Sequence, residues 1–370
     1  MGKERISAQQ MGLMIYTTVV FSAILDIPSI TGQVAGKDLW LSPLWASFVG
    51  LVMLQVMFWL DRRFPGETIV QYSGQVVGTI LGKALSAVLL FYFLHVNSLI
   101  LRGYGEFLVG VFLEHTPAVF IMGVMTALVG YAVRSGVEVI GRLAQLFIPF
   151  TLLIWAGLLF LTASDWDVRH VQPVFENGIG PSVRGALVPA GWFADFILLS
   201  FLLPFVSNRK DGKRWGMLAW FSILMTMAAT NLVALFLFGE MVATFNYPFI
   251  EVVRYIDIGE FFQHIDALLL AVWVVGSFVQ ITVFHFGVVL GTAQWFGLDE
   301  YRFLALPVGV LLVLFAEWVA PTLQELNQFL GSTAVVWNGF ILMIPLGIGL
   351  LAWIGNRGER GKGVNGFYDG

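Results

Sequence analysis

The sequence predicts an all-α polytopic membrane protein, and three observations carry that prediction. Of the 370 residues, 58% are hydrophobic and 12% are charged, whereas soluble domains carry about 25% charged residues. The apolar residues form long uncharged blocks of the length that a helix needs to cross a bilayer. Most of the 20 Lys and Arg residues fall in alternate connections between those blocks. Helices are expected because lipid leaves each backbone polar group to be satisfied within its own segment.

Ten blocks qualify as transmembrane helices. In chain order they cover about 11–32, 41–60, 84–113, 117–133, 143–163, 185–206, 215–239, 267–292, 303–320 and 332–355. The basic residues gather on one face when the N-terminus is placed inside the cell, so both termini are expected inside.

Ten spans divide into two halves of five, repeat 1 at about 11–163 and repeat 2 at about 185–355. Five crossings bring the chain to the opposite face, so two halves of like fold must be inverted, which is a common plan in transporters. Residues 1–356 are expected to form one permease-like domain. The polar, glycine-rich tail at 357–370 is predicted to be disordered.

The first helix of each half is predicted to be discontinuous. Span one carries Ser-Ala-Ile-Leu-Asp-Ile-Pro at 22–28, and span six carries Pro-Ala-Gly-Trp-Phe-Ala-Asp at 189–195. Proline removes a backbone donor, and glycine lowers the cost of unwinding. Simple proline kinks are the alternative. Carboxylates at Asp26 and Asp195 favour function, because a charge at a helix centre costs about 2.5–3.5 kcal/mol, although either Asp as a protonated packing residue remains open.

Span three holds two further charges at membrane depth, Arg102 and Glu106. Their i,i+4 spacing allows them to pair with each other, which is one interpretation. The other interpretation is a gate or an ion relay. We therefore treat Asp26, Arg102 and Glu106 as candidate ion-binding or gating residues. Asn97 lies near mid-depth on the same span.

Several classes of protein are excluded or unsupported. The chain has no Cys, so it has no disulfide and no thiolate metal site. A net charge of −4 without a basic block argues against nucleic-acid binding. We find no phosphate loop, zinc motif or nucleophile elbow. We accordingly expect no enzyme activity, no cofactor and no metal, and any transport would be gradient-driven or passive.

The connection between spans seven and eight contains Asn-Tyr-Pro-Phe-Ile-Glu-Val-Val-Arg-Tyr-Ile at 246–256. Its apolar spacing predicts an amphipathic helix lying across the external face, with a solvated loop as the alternative. Together with Ile-Gly-Glu-Phe-Phe at 258–262, this string resembles the external loop of bacterial spore germination receptor B subunits.

Other stretches resemble the same family in the same order along the chain. They are Gly-Lys-Asp-Leu-Trp-Leu-Ser at 36–42, Ile-Leu-Asp-Ile-Pro at 24–28, Thr-Pro at 116–117, and Gly-Val-Glu at 136–138 with Arg142. The resemblance runs from about residue 7 to 356. It implies an amino acid/polyamine/organocation-type, LeuT-like permease fold with five-plus-five inverted repeats.

The resemblance also implies a place and partners. The B subunit would lie in the lipid of the spore inner membrane, beside an A subunit and a lipoprotein C subunit. It would sense a small-molecule germinant, an amino acid above all, between helices 1, 3, 6 and 8. Carried over by position and joined by Asn97, the ligand-binding candidates are Ser22, Ala23, Ile24, Leu25, Asn97, Gly191, Trp192 and Asp195.

Two departures from related permeases stand out. Phe21 and Ala23 occupy positions where relatives have glycine. Their side chains would leave less room for a ligand carboxylate at the exposed backbone amides expected where helix one is broken. Span five lacks the lysine that some proton-coupled relatives use. A nutrient-sensing receptor subunit is thus the leading hypothesis, with an amino-acid symporter using Asp195 or Glu106 as one alternative. A water- or ion-conducting channel subunit is the other.

Overall fold

The computed structural model describes residues 4–256 and 265–364, and within those residues it is helical, with one isolated β-bridge between Ile6 and Val206. The described residues contain long helices that overlap each of the ten predicted spans. We number them α1 (Ala8–Ala35), α2 (Ser42–Arg63), α3 (Thr79–Val111), α4 (Ala118–Arg134), α5 (Val137–Leu161), α6 (Gly180–Phe205), α7 (Arg209–Phe238), α8 (Ile265–Phe296), α9 (Ala305–Val319) and α10 (Ala334–Val364).

By length and composition, eight segments of the described chain can cross a membrane. One of them, Ala8–Arg63, contains both α1 and α2, which are joined by a 3-10 turn at Gly36–Leu41. The helix Ala118–Arg134 is apolar but shorter. The all-α polytopic fold is therefore confirmed, and the count of ten spans stays a prediction.

Helix α1 is continuous, so the predicted break at residues 22–25 is wrong. A capping box starts the helix: Ser7 Oγ accepts from the Gln10 amide at 3.1 Å, and Gln10 Oε1 accepts from the Ser7 amide at 2.8 Å. Pro28 lies inside the helix. A single proline removes one backbone hydrogen bond and can be absorbed as a kink. Positions 21 and 23 hold Phe and Ala rather than glycine, so neither residue lowers the free energy needed to unwind the helix.

Helix α6 is irregular, as predicted. Its α-helical turns at Leu187–Ala194 give way to a 3-10 turn at Asp195–Leu198, and a second 3-10 turn at Leu203–Phe205 ends it. A 3-10 stretch inside a helix often marks a hinge. Asp195 is the first residue of that stretch.

The N-terminal segment ties together ends of helices that the sequence places inside the cell. Glu4 accepts hydrogen bonds from the Val137 amide and the Tyr301 hydroxyl, both at 3.0 Å, and forms an ion pair with Arg302. The Ile6 amide donates to the Phe205 carbonyl at 3.0 Å. Burial raises the pKa of the Tyr301 hydroxyl, and the Glu4 carboxylate adds to that effect. The hydroxyl therefore remains a donor at neutral pH.

The connections predicted to be external also contact one another. Lys37 forms an ion pair with Glu176 at 3.1 Å and lies 3.9 Å from Glu240. The buried Asp38 accepts from the Phe175 amide at 3.1 Å. Predicted inside segments thus meet inside segments, and outside segments meet outside segments, which is the arrangement that alternate crossings require.

The loop before α8 contains a short helix, Pro248–Arg254, whose apolar side chains are buried against the bundle. This confirms a helix there, although it is packed rather than laid loosely on the surface. The 258–262 part of the resemblance motif lies outside the described residues. Helix α10 is described as far as Val364, and the disorder predicted for the tail at 357–370 stays a prediction.

Candidate functional site

A cavity of about 100 Å³ lies in the centre of the bundle. Helices α1, α3, α6, α8 and α10 contribute to its wall, with residues 326–330 and Tyr247 closing it from the side predicted to be external. An apolar protein cavity of about 150 Å³ can hold benzene. The cavity therefore has the scale of a small organic molecule rather than of a peptide or a nucleotide.

Two carboxylates are the charged groups among the residues that line this cavity, Asp26 from α1 and Asp195 from α6. Asp195 is 2% exposed, and its Oδ1 atom is buried without a hydrogen-bond partner among the described residues. A buried charge is costly unless it is paired. Asp195 is the first residue of the 3-10 turn of α6, so the backbone of that turn positions its side chain.

Helix α8 presents polar side chains to both α1 and the cavity. Gln280 Nε2 donates to the Thr18 carbonyl at 3.0 Å and to Ser22 Oγ at 2.9 Å. Trp273 Nε1 donates to the Phe21 carbonyl at 3.0 Å. These bonds fix α1 as an intact helix, so its backbone does not form an open amide cradle. Gln280 Oε1 is left buried and unpartnered in the described structure.

Helix α10 closes the opposite side through Trp337 and Asn338. The Tyr92 hydroxyl of α3 donates to Asn338 Oδ1 at 3.0 Å. Gly191 of α6 permits this contact, because a Cβ atom at that position would stand 1.9 Å from Asn338 Nδ2. Trp337 also lines the cavity, and its indole nitrogen is buried without a partner among the described residues.

Aromatic faces form much of the remaining wall. Tyr104 stacks on Trp273 with ring centroids 5.3 Å apart, and the rings of Tyr92 and Trp337 lie 6.0 Å apart. Phe21 completes the wall from α1. Such rings present electron-rich faces, which attract cations as well as apolar groups.

A second cavity of about 150 Å³ lies toward the predicted external side, between α1, α6 and the loop before Pro248–Arg254. Asp26 and Val188 line both this vestibule and the central cavity. Arg184 and Gln33 contribute polar groups to the vestibule. Asp26 thus stands at the junction between the outer vestibule and the centre.

The structure brings together most of the ligand-binding residues that the sequence predicted. Those that line the cavity are Ser22, Leu25, Gly191, Trp192 and Asp195, joined by Asp26. Ala23 and Ile24 are buried and are not among the lining residues. Asn97 is also elsewhere: its side chain is fully buried and donates to the Ile281 carbonyl at 3.3 Å.

Arg102 and Glu106 form an ion pair at 2.5 Å, which is the first of the two interpretations. Arg102 also pairs with Glu317 of α9 at 2.8 Å and donates to the Pro321 carbonyl at 2.6 Å. Neither Arg102 nor Glu106 is among the residues that line the central cavity. The cluster instead fastens α3 to the end of α9.

Sequence reasoning missed Tyr92, Gln280, Trp337 and Asn338. Gln280 carries a usable signal, since an amide within an otherwise apolar span needs a partner. Trp337 and Asn338 carry none that separates them from the many aromatic and polar residues of other spans. Among the described residues, no group of three or more His, Asp or Glu is placed to hold a metal ion.

An all-helical bundle with a central cavity beside an irregular α6 is the architecture of LeuT-fold transporters. The crystal structure of MhsT in complex with L-phenylalanine superposes with a TM-score of 0.70 at 13% identity, covering 92% of this chain and 89% of that chain. The LeuT-like fold class is therefore confirmed.

The chain belongs to the spore germination protein family, whose model matches residues 5–321. Spore germination protein KB of Bacillus subtilis (strain 168) is 26% identical and is aligned over 98% of this chain and 99% of its own length. Spore germination protein YndE of the same organism is 24% identical, over 89% and 91%. Spore germination protein B2 is 22% identical, over 97% and 98%. The protein is thus an integral membrane, permease-like germination protein with a sensing or transport-like role.

Proposed function

We propose that this chain is the nutrient-sensing subunit of a spore germination receptor. A small-molecule germinant, an amino acid by preference, binds in the central cavity between α1, α3, α6 and α8. The subunit acts in the spore inner membrane beside an A subunit and a lipoprotein C subunit. The observation that carries the proposal is the unpartnered, buried carboxylate of Asp195 facing a cavity of small-molecule size. A structural neighbour that was solved with L-phenylalanine supports the amino-acid class.

Binding becomes a signal through α6. The 3-10 turn at Asp195–Leu198 joins the outer part of α6, which faces the cavity, to its inner part, which meets the N-terminal segment at Phe205. A ligand shifts a conformational equilibrium only by its difference in affinity for the two states. A preference of about 2.7 kcal/mol gives a roughly hundredfold shift.

Spores that lack the gene, complemented with defined variants, test the proposal. We expect Asp195→Asn to abolish the response to a mixture of amino acids and nucleosides, because the charge that faces the ligand is lost. Gly191→Leu should also abolish it, since the new side chain displaces Asn338 and enters the cavity. Asp165→Asn, which alters an exposed external carboxylate, is the matched control. Normal responses in both site variants, at normal membrane abundance, would refute the assignment of the site.

Amino-acid transport is the second candidate function. The continuity from the outer vestibule to the cavity at Asp26 favours it, because that route would let a solute enter. Asp195 is the better coupling carboxylate, since Glu106 is held by Arg102. Purified protein in proteoliposomes decides between the two functions. Gradient-dependent accumulation of labelled amino acid by this chain alone would replace the sensor proposal with a symporter.

A further inference from the structure

The charged side chains that line the central cavity are all acidic. Asp26 and Asp195 line it, and no Lys or Arg is among its lining residues. Arg102 on α3 is paired with Glu106 and Glu317, and Arg184 lines the outer vestibule and not the central cavity. A bound anion would therefore face two carboxylates without a counter-charge, which is unfavourable in a low-dielectric interior.

Three buried polar atoms of the lining residues lack a partner among the described residues. Two of them are acceptors, Asp195 Oδ1 and Gln280 Oε1, and the third is the indole nitrogen of Trp337. The side chains of both acceptors are at least 98% buried. Acceptors of this kind require a donor, and an ammonium group supplies three of them together with a compensating charge.

Exposed backbone amides in helix one, which were predicted to bind a ligand carboxylate, are also missing from the described structure. Helix α1 is continuous through residues 22–25, so its backbone amides are used within the helix. The donors that the lining residues offer are neutral: the Trp337 indole, whose nitrogen is buried without a partner among the described residues, and groups such as those of Tyr104 and Asn338. Neutral donors suit a carbonyl or hydroxyl oxygen better than they balance a carboxylate among two acidic side chains.

We infer that the central cavity selects its ligand by a cationic amine and not by a carboxylate, so that the germinant class is organic ammonium compounds, including amino acids bound chiefly through their amino group. This inference rests on the proposed function. Asp195 and Gln280 accept hydrogen bonds from the ammonium. The stacked Tyr104 and Trp273 and the rings of Tyr92 and Trp337 enclose its carbon chain and add cation–π attraction.

An alkali cation could also supply the positive charge, but the residues that line the cavity disfavour it. Inorganic cations are held by several oxygen ligands converging on one point. The lining residues here are mostly apolar or aromatic. An organic ammonium satisfies both the carboxylate and the apolar wall, whereas Na⁺ or K⁺ satisfies the carboxylate alone.

Three sets of matched compounds test the inference on the purified full-length protein by thermal unfolding. Each set shares one side chain: leucine with 3-methylbutylamine and 4-methylpentanoate, phenylalanine with phenethylamine and 3-phenylpropionate, and alanine with ethylamine and propionate. Within each set the charged group is the variable. NaCl and KCl, compared with choline chloride at equal ionic strength, form the inorganic arm.

In at least one set we expect the amine and the amino acid to raise the melting temperature further as their concentration increases, as a ligand of the folded state must. The acid of the same set should leave it unchanged. Asp195→Asn should weaken the amine about 10- to 100-fold, the loss expected for one charge-assisted hydrogen bond, and Asp165→Asn should not.

Other outcomes overturn one proposal or both. Stabilisation by an acid, abolished by Gly191→Leu, would refute the inference about charge and retain the site. Stabilisation by Na⁺ or K⁺ with no effect of any amine would refute the organic class. If none of the nine compounds and neither salt stabilises the protein, the proposed function falls together with the inference.

Discussion

The ring of Phe21 lies against Gly276 of α8 so closely that a Cβ atom on the glycine would stand 2.0 Å from the ring. The absence of a side chain at Gly276 lets a large aromatic residue face the cavity from an unbroken α1.

This contact predicts that Gly276→Ala destabilises the protein by about 1–3 kcal/mol, the usual range for overpacking. Gly157→Ala on α5 is the matched control, because a Cβ there meets no atom within 4 Å. The control should be neutral or slightly stabilising, since alanine favours a helix over glycine. Thermal unfolding in detergent measures both. Adding Phe21→Leu to Gly276→Ala should restore part of the loss, and equal effects of the two alanines would contradict the contact.

Asp195→Asn should leave the unliganded protein as stable as the wild type, within about 0.5 kcal/mol, or more stable. The reason is that one oxygen of the Asp195 side chain is buried without a partner among the described residues, so an amide of the same shape breaks no hydrogen bond at that atom. Melting temperatures measured without ligand test this. A large loss of stability would mean that Asp195 is a structural residue with a partner in the folded protein.

The cluster around Arg102 provides a separate prediction about stability. Arg102→Leu should cost about 3 kcal/mol, because breaking a buried ion pair leaves Glu106 uncompensated. Arg142→Leu is a close control: Arg142 pairs with Glu138 at the same i,i+4 spacing, but its side chain is 74% exposed, and such pairs are worth about 0–1 kcal/mol. Combining Arg102→Leu with Glu106→Leu should recover part of the loss. Similar costs for the two single variants would argue against a buried cluster.

The contacts of Glu4 predict that it keeps the N-terminal segment packed against the helix ends on the side predicted to be internal. Glu4→Gln removes the charge that faces Arg302, so the segment should release more often from Val137 and Tyr301. The chain has no cysteine, so Ala293→Cys supplies a single buried thiol beside this cluster.

Maleimide labelling of Ala293→Cys should be several-fold faster with Glu4→Gln than without it. Glu67→Gln, which alters a carboxylate that accepts from Gln75 at 2.7 Å, serves as the control. An unchanged labelling rate would mean that Glu4 does not hold the inner side closed.

The helical architecture was predictable because lipid imposes a strong rule on composition, and the apolar blocks overlap each of the helices α1 to α10. The ends are less well predicted, as at α10, which runs on to Val364 where the block ends at 355. Asp26 and Asp195 were predictable for the same reason, since carboxylates are rare at that depth. The state of α1 was not, because Pro28 is compatible with a break or with a kink. The hydrogen bonds from Trp273 and Gln280 that support the continuous helix come from a span more than 250 positions away.

Asn97 was predicted to contact the ligand, and the structure does not place it among the residues that line the central cavity. A polar residue near mid-depth on α3 suggested that contact, yet its amide nitrogen donates to the Ile281 carbonyl. Depth alone does not say whether a helix face meets a cavity or a neighbouring helix. For the same reason Trp337 and Asn338 were not distinguishable from other residues of the last span until α10 was placed against Gly191.

The most direct test of the account is an experimental structure of the protein with the compound that stabilises it most. We predict ligand density in the central cavity, with an amino group within hydrogen-bond distance of Asp195 and Gln280 and the carbon chain against Trp273 and Trp337. Ligand density elsewhere in the protein, with an unoccupied central cavity at saturating ligand, would contradict it.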